Sequence, residues 1–176
     1  KKVFSKMSWL PTSKKKLEDN QFIDAVVFPR TSDIGNFEVH RALPSKERQM
    51  VGPFIFWDQM GPGEFLSGSG LDVRPHPHIG LSTITYLFKG TMDHKDSLGN
   101  DVRIAPGDIN LMSAGGGIVH SERTGEDIRQ LPSELFGIQS WIAQPKKYEE
   151  SKPSFQNISS NEITKIELSK EREGCL

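Results

Sequence analysis

Between positions 82 and 112 the chain reads STITYLFKGTMDHKDSLGNDVRIAPGDINLM, a succession of short apolar runs separated by turn residues. The first run, residues 82–88, is rich in β-branched and aromatic residues, which strands favour. Lys89-Gly90 ends this run, and turn residues at 97–101 and 106–108 separate the runs that follow. The stretch therefore predicts consecutive short β-strands.

The same pattern continues on both sides of this stretch. Glycines and prolines separate further short apolar bursts, and no long amphipathic helical pattern interrupts them. The bursts lie at residues 22–23, 25–28, 37–39, 54–57, 118–120 and 136–142. Many short strands without long helices predict an all-β sandwich or barrel.

The length of 176 residues suits one domain. Residues 1–20 are polar and lysine-rich, so we interpret them as an N-terminal arm. The β domain is expected over residues 21–145. Residues 146–176 are polar again, and we expect a covering segment with one short strand and a tail.

Composition excludes several functional classes. The net charge is −1, from 22 basic and 23 acidic residues, so no strong field would attract nucleic acid or an anionic membrane. No apolar run is long enough to cross a bilayer, and no secretory leader is recognisable. Cys175 is the single cysteine, which rules out an internal disulfide. These features predict a soluble protein of the cytoplasm.

Two pairs of polar side chains could hold a metal ion. His76 and His78 are two residues apart, as are His120 and Glu122, and residues so spaced project from the same face of a strand. If the two strands are neighbours, the four side chains converge. Three imidazoles and one carboxylate suit a divalent first-row metal.

The alternative is that each pair is an ordinary set of partly exposed polar side chains. Two features favour the metal site. Pro75 and Pro77 cannot donate to a strand ladder, which places the histidine pair at a strand start or rim. Residues 115–117 are all glycine and allow a tight turn and close approach before His120. The other two histidines are not expected to be ligands: His94 lies in a charged, hairpin-like segment that predicts a surface or turn position, and His40 has no partner nearby.

Several separate motifs resemble those of the pirin family of the cupin superfamily. They lie at residues 51–56, 60–62, 70–80, 94–99, 106–108 and 113–122. The resemblance implies a single cupin barrel, that is, a double-stranded β-helix or jelly roll. It also implies that His76, His78, His120 and Glu122 are the metal ligands, with Glu122 replacing the usual cupin glutamate, whose position here is Thr83.

The chain departs from typical pirins in two respects. Gln59 stands where pirins commonly have a histidine, at a position that is not a metal ligand. Typical pirins also carry two cupin domains, and this sequence ends about where the second would begin. We therefore expect the second cupin domain to be absent, and expect self-association as a homodimer or an exposed apolar face.

The resemblance implies two functions from different classes. One is an iron-dependent quercetin 2,3-dioxygenase, with Fe(II) the expected metal, although Mn, Ni, Cu or Zn would suit the same ligands. Glu122 could then leave the metal and act as a catalytic base for a flavonol hydroxyl. Aromatic or apolar side chains would line the site of a flat aromatic substrate, with ordinary core packing as the alternative for each: Phe54, Phe56, Trp57 and Met60. The alternative is a metal- or redox-dependent regulatory protein that binds a transcription factor or metabolic enzyme. A third interpretation is a purely structural metal site.

Overall fold

The computed structural model describes residues 25–34 and 36–166, which are almost entirely β-strand and loop. One short helix, α1 (Glu126–Arg129), and one 3₁₀ turn (Lys146–Tyr148) interrupt the strands. The strands of this part of the chain are β1 (Arg30–Asp33), β2 (Glu38–Leu43), β3 (Phe54–Phe65), β4 (Asp72–His78), β5 (Leu81–Lys89), β6 (Met92–Asp96), β7 (Asp101–Ile104), β8 (Ile109–Ser113), β9 (Ile118–Arg123), β10 (Ser133–Ala143) and β11 (Ser154–Ile158).

The strands form two antiparallel sheets. The larger has seven strands in the order β1-β2-β3-β10-β5-β8-β11, and the smaller has four in the order β4-β9-β6-β7. Hydrogen bonding among the described strands does not run continuously from one sheet into the other, so the sheets do not close into a barrel. The prediction of an all-β cupin domain is confirmed in this open, two-sheet form.

The main hydrophobic core contains side chains from both sheets. Strand alternation explains its composition, since every second residue of a strand points to the same face. The core side chains come from the large sheet, the small sheet and the segment before β4: Val39, Met60, Phe65, Leu87, Leu135, Met92, Ile104 and Leu71. A second, smaller cluster of Met112, Ala114 and Ile118 is covered by Phe155 of β11.

Most of the predicted strands are present, with one exception. The apolar burst at residues 25–28 is not a strand: β1 begins only at Arg30, and Phe28 is 67% exposed. Its apolar residues have no neighbouring strand among the described residues. The burst at 22–23 and the proposed arm at 1–20 lie outside the described residues, as does Cys175.

The C-terminal segment contributes to the large sheet. β11 pairs with β8, from Ser154 opposite Ser113 to Ile158 opposite Ile109. The predicted short strand in this segment is therefore present, and it forms one edge of the seven-stranded sheet. Within residues 25–34 and 36–166, no helix has the length and apolar character needed to span a membrane.

Candidate metal centre

The pairing of β4, β9 and β6 brings the predicted ligands together. β4 lies beside β9 with His76 opposite His120 and Val73 opposite Glu122. β6 lies on the other side of β9, with His94 opposite Glu122. The condition that the two predicted strands be neighbours is therefore met.

Three histidines lie within bonding reach of one ion. The Nε2 atoms of His78 and His120 are 3.1 Å apart, and the ring centroids of His76 and His120 are 4.4 Å apart. The candidate ligand atoms of His76, His78 and His120 all lie within 4.8 Å of one another. Adjacent ligands of a metal with bonds of about 2.1 Å are themselves separated by roughly 3 Å, so the His78–His120 spacing fits shared ligation.

Glu122 belongs to a second, overlapping group. Its carboxylate lies within 4.8 Å of ligand atoms of His94 and His120. Two triplets that share His120 thus contain the four predicted ligands together with His94, and Glu122 is not in the same triplet as His76 and His78. Glu122 is buried, and the Gln139 Nε2 atom donates a hydrogen bond of 2.8 Å to its Oε1 atom.

The prediction that His94 is a surface or turn residue is wrong. Its side chain is 2% exposed because β6 lies inside the small sheet, between β9 and β7. Phe155 of β11 stacks on the imidazole, with centroids 4.3 Å apart and planes inclined by 16°. His40, by contrast, is exposed on β2.

Burial keeps two of the histidines, His78 and His120, neutral. Burial, followed by repulsion from His76, lowers the pKa of His78 to about 4. Burial also lowers the pKa of His120 to about 3, and the charges that His76, His78 and His94 would carry lower it further. Both side chains therefore offer an unprotonated ring nitrogen at neutral pH, which a metal ligand requires.

Glu122 experiences the opposite effect. Burial raises the pKa of its carboxyl group, while the hydrogen bond from Gln139 acts in the other direction. Among the described residues, Glu122 takes part in none of the ion pairs with lysine or arginine. A buried carboxylate without a cation is costly. A divalent ion would balance this charge, so the donor set fits a metal of this kind.

His76 lies at the open edge of the site. It is only partly buried, and its Nδ1 atom lies 2.8 Å from the carbonyl oxygen of Arg74. An Nδ1–H that donates to this oxygen leaves Nε2 free as a ligand atom. The flanking Pro75 and Pro77 are exposed, which agrees with the predicted rim position.

The glycines before β9 fix the approach of this strand. Gly115 has φ +51°, and a Cβ atom there would collide with the backbone oxygen of Ser151. The Gly116 N–H donates to the same oxygen at 2.9 Å. The predicted close backbone approach is present, and it joins the start of β9 to the segment that leads into β11.

Several residues near the site were not recognised from the sequence. Gln139 and Trp141 lie on β10, and the Trp141 ring contacts His78 edge-on at 5.0 Å between centroids. Strand alternation places these two β10 residues on one face, but the sequence does not show that β10 faces β4 and β9. The buried Nε1 atom of Trp141 has no hydrogen-bond partner among the described residues.

The predicted wall residues differ in their positions. Phe56 is buried and stacks on Trp141, with ring centroids 4.1 Å apart. The Trp141 ring therefore lies between Phe56 and His78. Met60 belongs to the main hydrophobic core. Phe54 and Trp57 contact each other edge-on, and Trp57 is 36% exposed.

A cleft of about 350 Å³ lies where β4 ends and β9 begins. Its lining is mostly apolar and includes one of the predicted ligands, His78; the residues are Pro77, His78, Ile79, Ser97, Gly117, Ile118 and Val119. Clefts of this size accommodate small organic ligands.

Known proteins are similar to this chain in sequence and in fold. A protein of Caulobacter vibrioides named a pirin-like protein is 52% identical over 135 residues, which cover 76% of this chain and 46% of that protein. A Pseudomonas aeruginosa protein provisionally named a quercetin 2,3-dioxygenase is 44% identical over 132 residues, covering 74% of this chain and 41% of that protein. The chain thus spans less than half the length of these relatives.

Solved structures agree with the sequence comparison. A crystal structure of a quercetin 2,3-dioxygenase from Acinetobacter baumannii matches with a TM-score of 0.70 at 43% identity, covering 74% of this chain and 43% of that one. A second structure of that name from the same organism matches with a TM-score of 0.73 at 28% identity, covering 82% of this chain and 51% of that one. The family model described as Pirin matches residues 36–142. The chain therefore belongs to the pirin family.

Proposed function

We propose that this pirin domain binds one divalent metal ion, Fe(II), through His76, His78, His120 and Glu122, and that it opens a flavonol such as quercetin with dioxygen. The names of the Pseudomonas and Acinetobacter relatives support this reaction class. The chain covers less than half of the length of those proteins, so the assignment of their activity to this chain is a proposal.

One observation carries the proposal. Three imidazoles from two neighbouring strands converge within 4.8 Å, and a buried carboxylate that forms no ion pair with lysine or arginine among the described residues lies beside His120. Such a set is costly to bury without an ion and becomes favourable with one.

A metal bound here would supply Lewis-acid chemistry and a template on which substrate and dioxygen meet. The protein supplies the proton acceptor. Gln139 Nε2 donates to the Oε1 atom of Glu122, and the side chain of Thr85 also hydrogen-bonds to this carboxyl group. In the proposed step Glu122 acts as a base instead of as a metal ligand: the O–H bond of a flavonol hydroxyl breaks, its proton passes to the Glu122 carboxylate, and the electron pair stays on the flavonol oxygen.

The surroundings of the histidines suit a flat aromatic substrate. The cleft of about 350 Å³ next to His78 is mostly apolar. The ring of Trp141 packs against His78, and its buried N–H has no partner among the described residues. An oxygen atom of a bound ligand would satisfy this donor, since buried N–H groups are normally paired.

The test is a turnover experiment with defined metal. The chain is loaded with Fe(II) without oxygen, mixed with quercetin and then exposed to air. We expect flavonol absorbance to fall with the wild-type chain and with His40→Ala, an exposed-histidine control, and to persist with His76→Ala and Glu122→Ala. Unchanged absorbance with iron-loaded wild-type protein would contradict the dioxygenase assignment. Equal loss of absorbance in all four proteins would contradict the ligand assignment.

A further inference from the structure

Two buried polar side chains, Asp96 and His94, connect the turn after β6 to His120. The Asp96 Oδ2 atom lies 3.2 Å from the Nε2 atom of His94. On the other side of that ring, the Nδ1 atom of His94 lies 3.4 Å from the Nδ1 atom of His120. The side chains of His94 and Asp96 are 2% and 0% exposed, so water does not compete for these contacts.

Asp96 is fixed as a hydrogen-bond acceptor. Its Oδ1 atom receives the backbone N–H groups of Leu98 at 2.9 Å and Asn100 at 3.1 Å. The Asn100 side-chain amide donates to both carboxylate oxygens, at 3.0 and 2.9 Å. Four donor contacts hold the ionised form, and an ionised carboxylate only accepts.

The direction of each later hydrogen bond follows from this acceptor. His94 must present Nε2–H to Asp96, and a neutral His94 then has its lone pair on Nδ1. His120 must in turn present Nδ1–H to His94. The remaining lone pair of His120 is then on Nε2, the atom that lies 3.1 Å from His78 Nε2.

We propose that Asp96 and His94 are positioning residues that hold His120 in the Nδ1–H tautomer and so direct its Nε2 atom to the metal. The inference rests on the proposed metal site. It gives a role to the motif at residues 94–99, since Leu98 within it and the adjacent Asn100 supply the donors that orient Asp96. It also gives a role to the stacking of Phe155 on His94. A ring held in one orientation keeps Nε2 directed at Asp96 and Nδ1 directed at His120.

The Asp96→Asn variant tests the proposal most sharply. The new amide group would place an N–H where Oδ2 now accepts, so His94 would take the opposite tautomer and donate from Nδ1. His120 would then be protonated on Nε2, and the proposed ligand atom would be blocked. We expect ¹H–¹⁵N spectra of the metal-free chain to show His120 as Nδ1–H in the wild type and Nε2–H in the variant. Cobalt(II) affinity, followed by the visible absorption of the bound ion, should fall about 10- to 100-fold.

Two substitutions of His94 separate positioning from other roles. Asparagine places an amide oxygen close to the position of Nδ1 and can still accept from His120, whereas leucine cannot. We expect His94→Asn to bind cobalt(II) within a few-fold of wild type and His94→Leu to lose about 10-fold or more. His40→Leu, at an exposed histidine, should match the wild type.

The outcomes distinguish this inference from the proposed function. An unchanged His120 tautomer in Asp96→Asn, or equal losses in His94→Asn and His94→Leu, overturns the positioning role; the second result would make His94 a ligand or a packing residue. If the wild-type chain binds no cobalt(II), the proposed metal site fails, while the spectra of the metal-free proteins still decide whether Asp96 sets the tautomer of His120.

Discussion

The Nε2 atom of His78 lies 3.1 Å from the Nε2 atom of His120, across the paired strands β4 and β9. Both rings are buried, and burial keeps the pKa of each imidazole well below its ordinary value. Two neutral imidazoles that face each other in this way share at most one proton between these atoms. The pair can therefore bind a cation that enters from the side of the partly exposed His76.

The first prediction concerns metal-dependent stability. An ion at 100 times its dissociation constant stabilises the folded chain by about 2.7 kcal/mol. For a domain of this size, that corresponds to a rise in Tm of roughly 5–10 °C. Thermal unfolding of the chelator-treated chain with and without added Fe(II), in the absence of oxygen, measures the shift. His78→Ala should abolish it and His40→Ala should retain it. A rise in Tm that survives in His78→Ala would place the ion elsewhere.

The second prediction concerns the buried carboxylate. Glu122→Gln keeps the shape of the side chain and an oxygen that can accept from Gln139, but removes the charge. Because burial disfavours the charged form, the metal-free variant should be as stable as the wild type or more stable, by roughly 1 kcal/mol. Its gain in stability on adding metal should be smaller. Urea unfolding with and without metal measures both effects. A metal-free variant clearly less stable than the wild type would contradict an uncompensated charge.

The third prediction concerns Trp141. Trp141→Phe keeps an aromatic ring beside His78 and removes the buried N–H that has no partner among the described residues. If this group donates to the substrate, KM for quercetin should rise about 3- to 10-fold, as expected for one lost hydrogen bond. Metal content should not change. Steady-state kinetics with metal analysis of the same samples is the measurement, and an unchanged KM would remove Trp141 from the substrate site.

The fourth prediction concerns the turn before β9. Gly115→Ala places a side chain at a positive φ and brings its Cβ atom into collision with the backbone oxygen of Ser151. Gly52→Ala also places a side chain at a positive φ, of +54°, but with open space around it. The left-handed backbone alone costs about 1–2 kcal/mol. We expect Gly52→Ala to lose that amount and Gly115→Ala to lose roughly 3 kcal/mol or more. Chemical denaturation of the two variants provides the comparison. Equal losses would show that the approach of Ser151 is not a constraint.

Much of the site follows from period-two spacing. The pairs His76–His78 and His120–Glu122 each occupy one face of a strand, and that much is readable from residues alone. The pairing of β4 with β9 is not, because register depends on contacts between distant segments. His94 shows the same limit: its burial depends on β9 beside it and on Phe155 from β11, neither of which its charged local sequence indicates.

The family resemblance supplied what spacing could not. It implied that Glu122 is the carboxylate ligand, which stays a prediction. It also predicted the cupin domain, which the fold and the family match confirm. The overlapping triplet of His94, His120 and Glu122 arises from the three-dimensional arrangement of β6 and β9. Self-association as a homodimer and the metal's identity remain predictions.

Metal analysis of the chain purified without added metal tests the central claim most directly. We predict close to one equivalent of divalent metal per wild-type chain, with iron predominant, and little in His76→Ala or Glu122→Ala. Full metal content in both variants would contradict the ligand assignment on which the account depends.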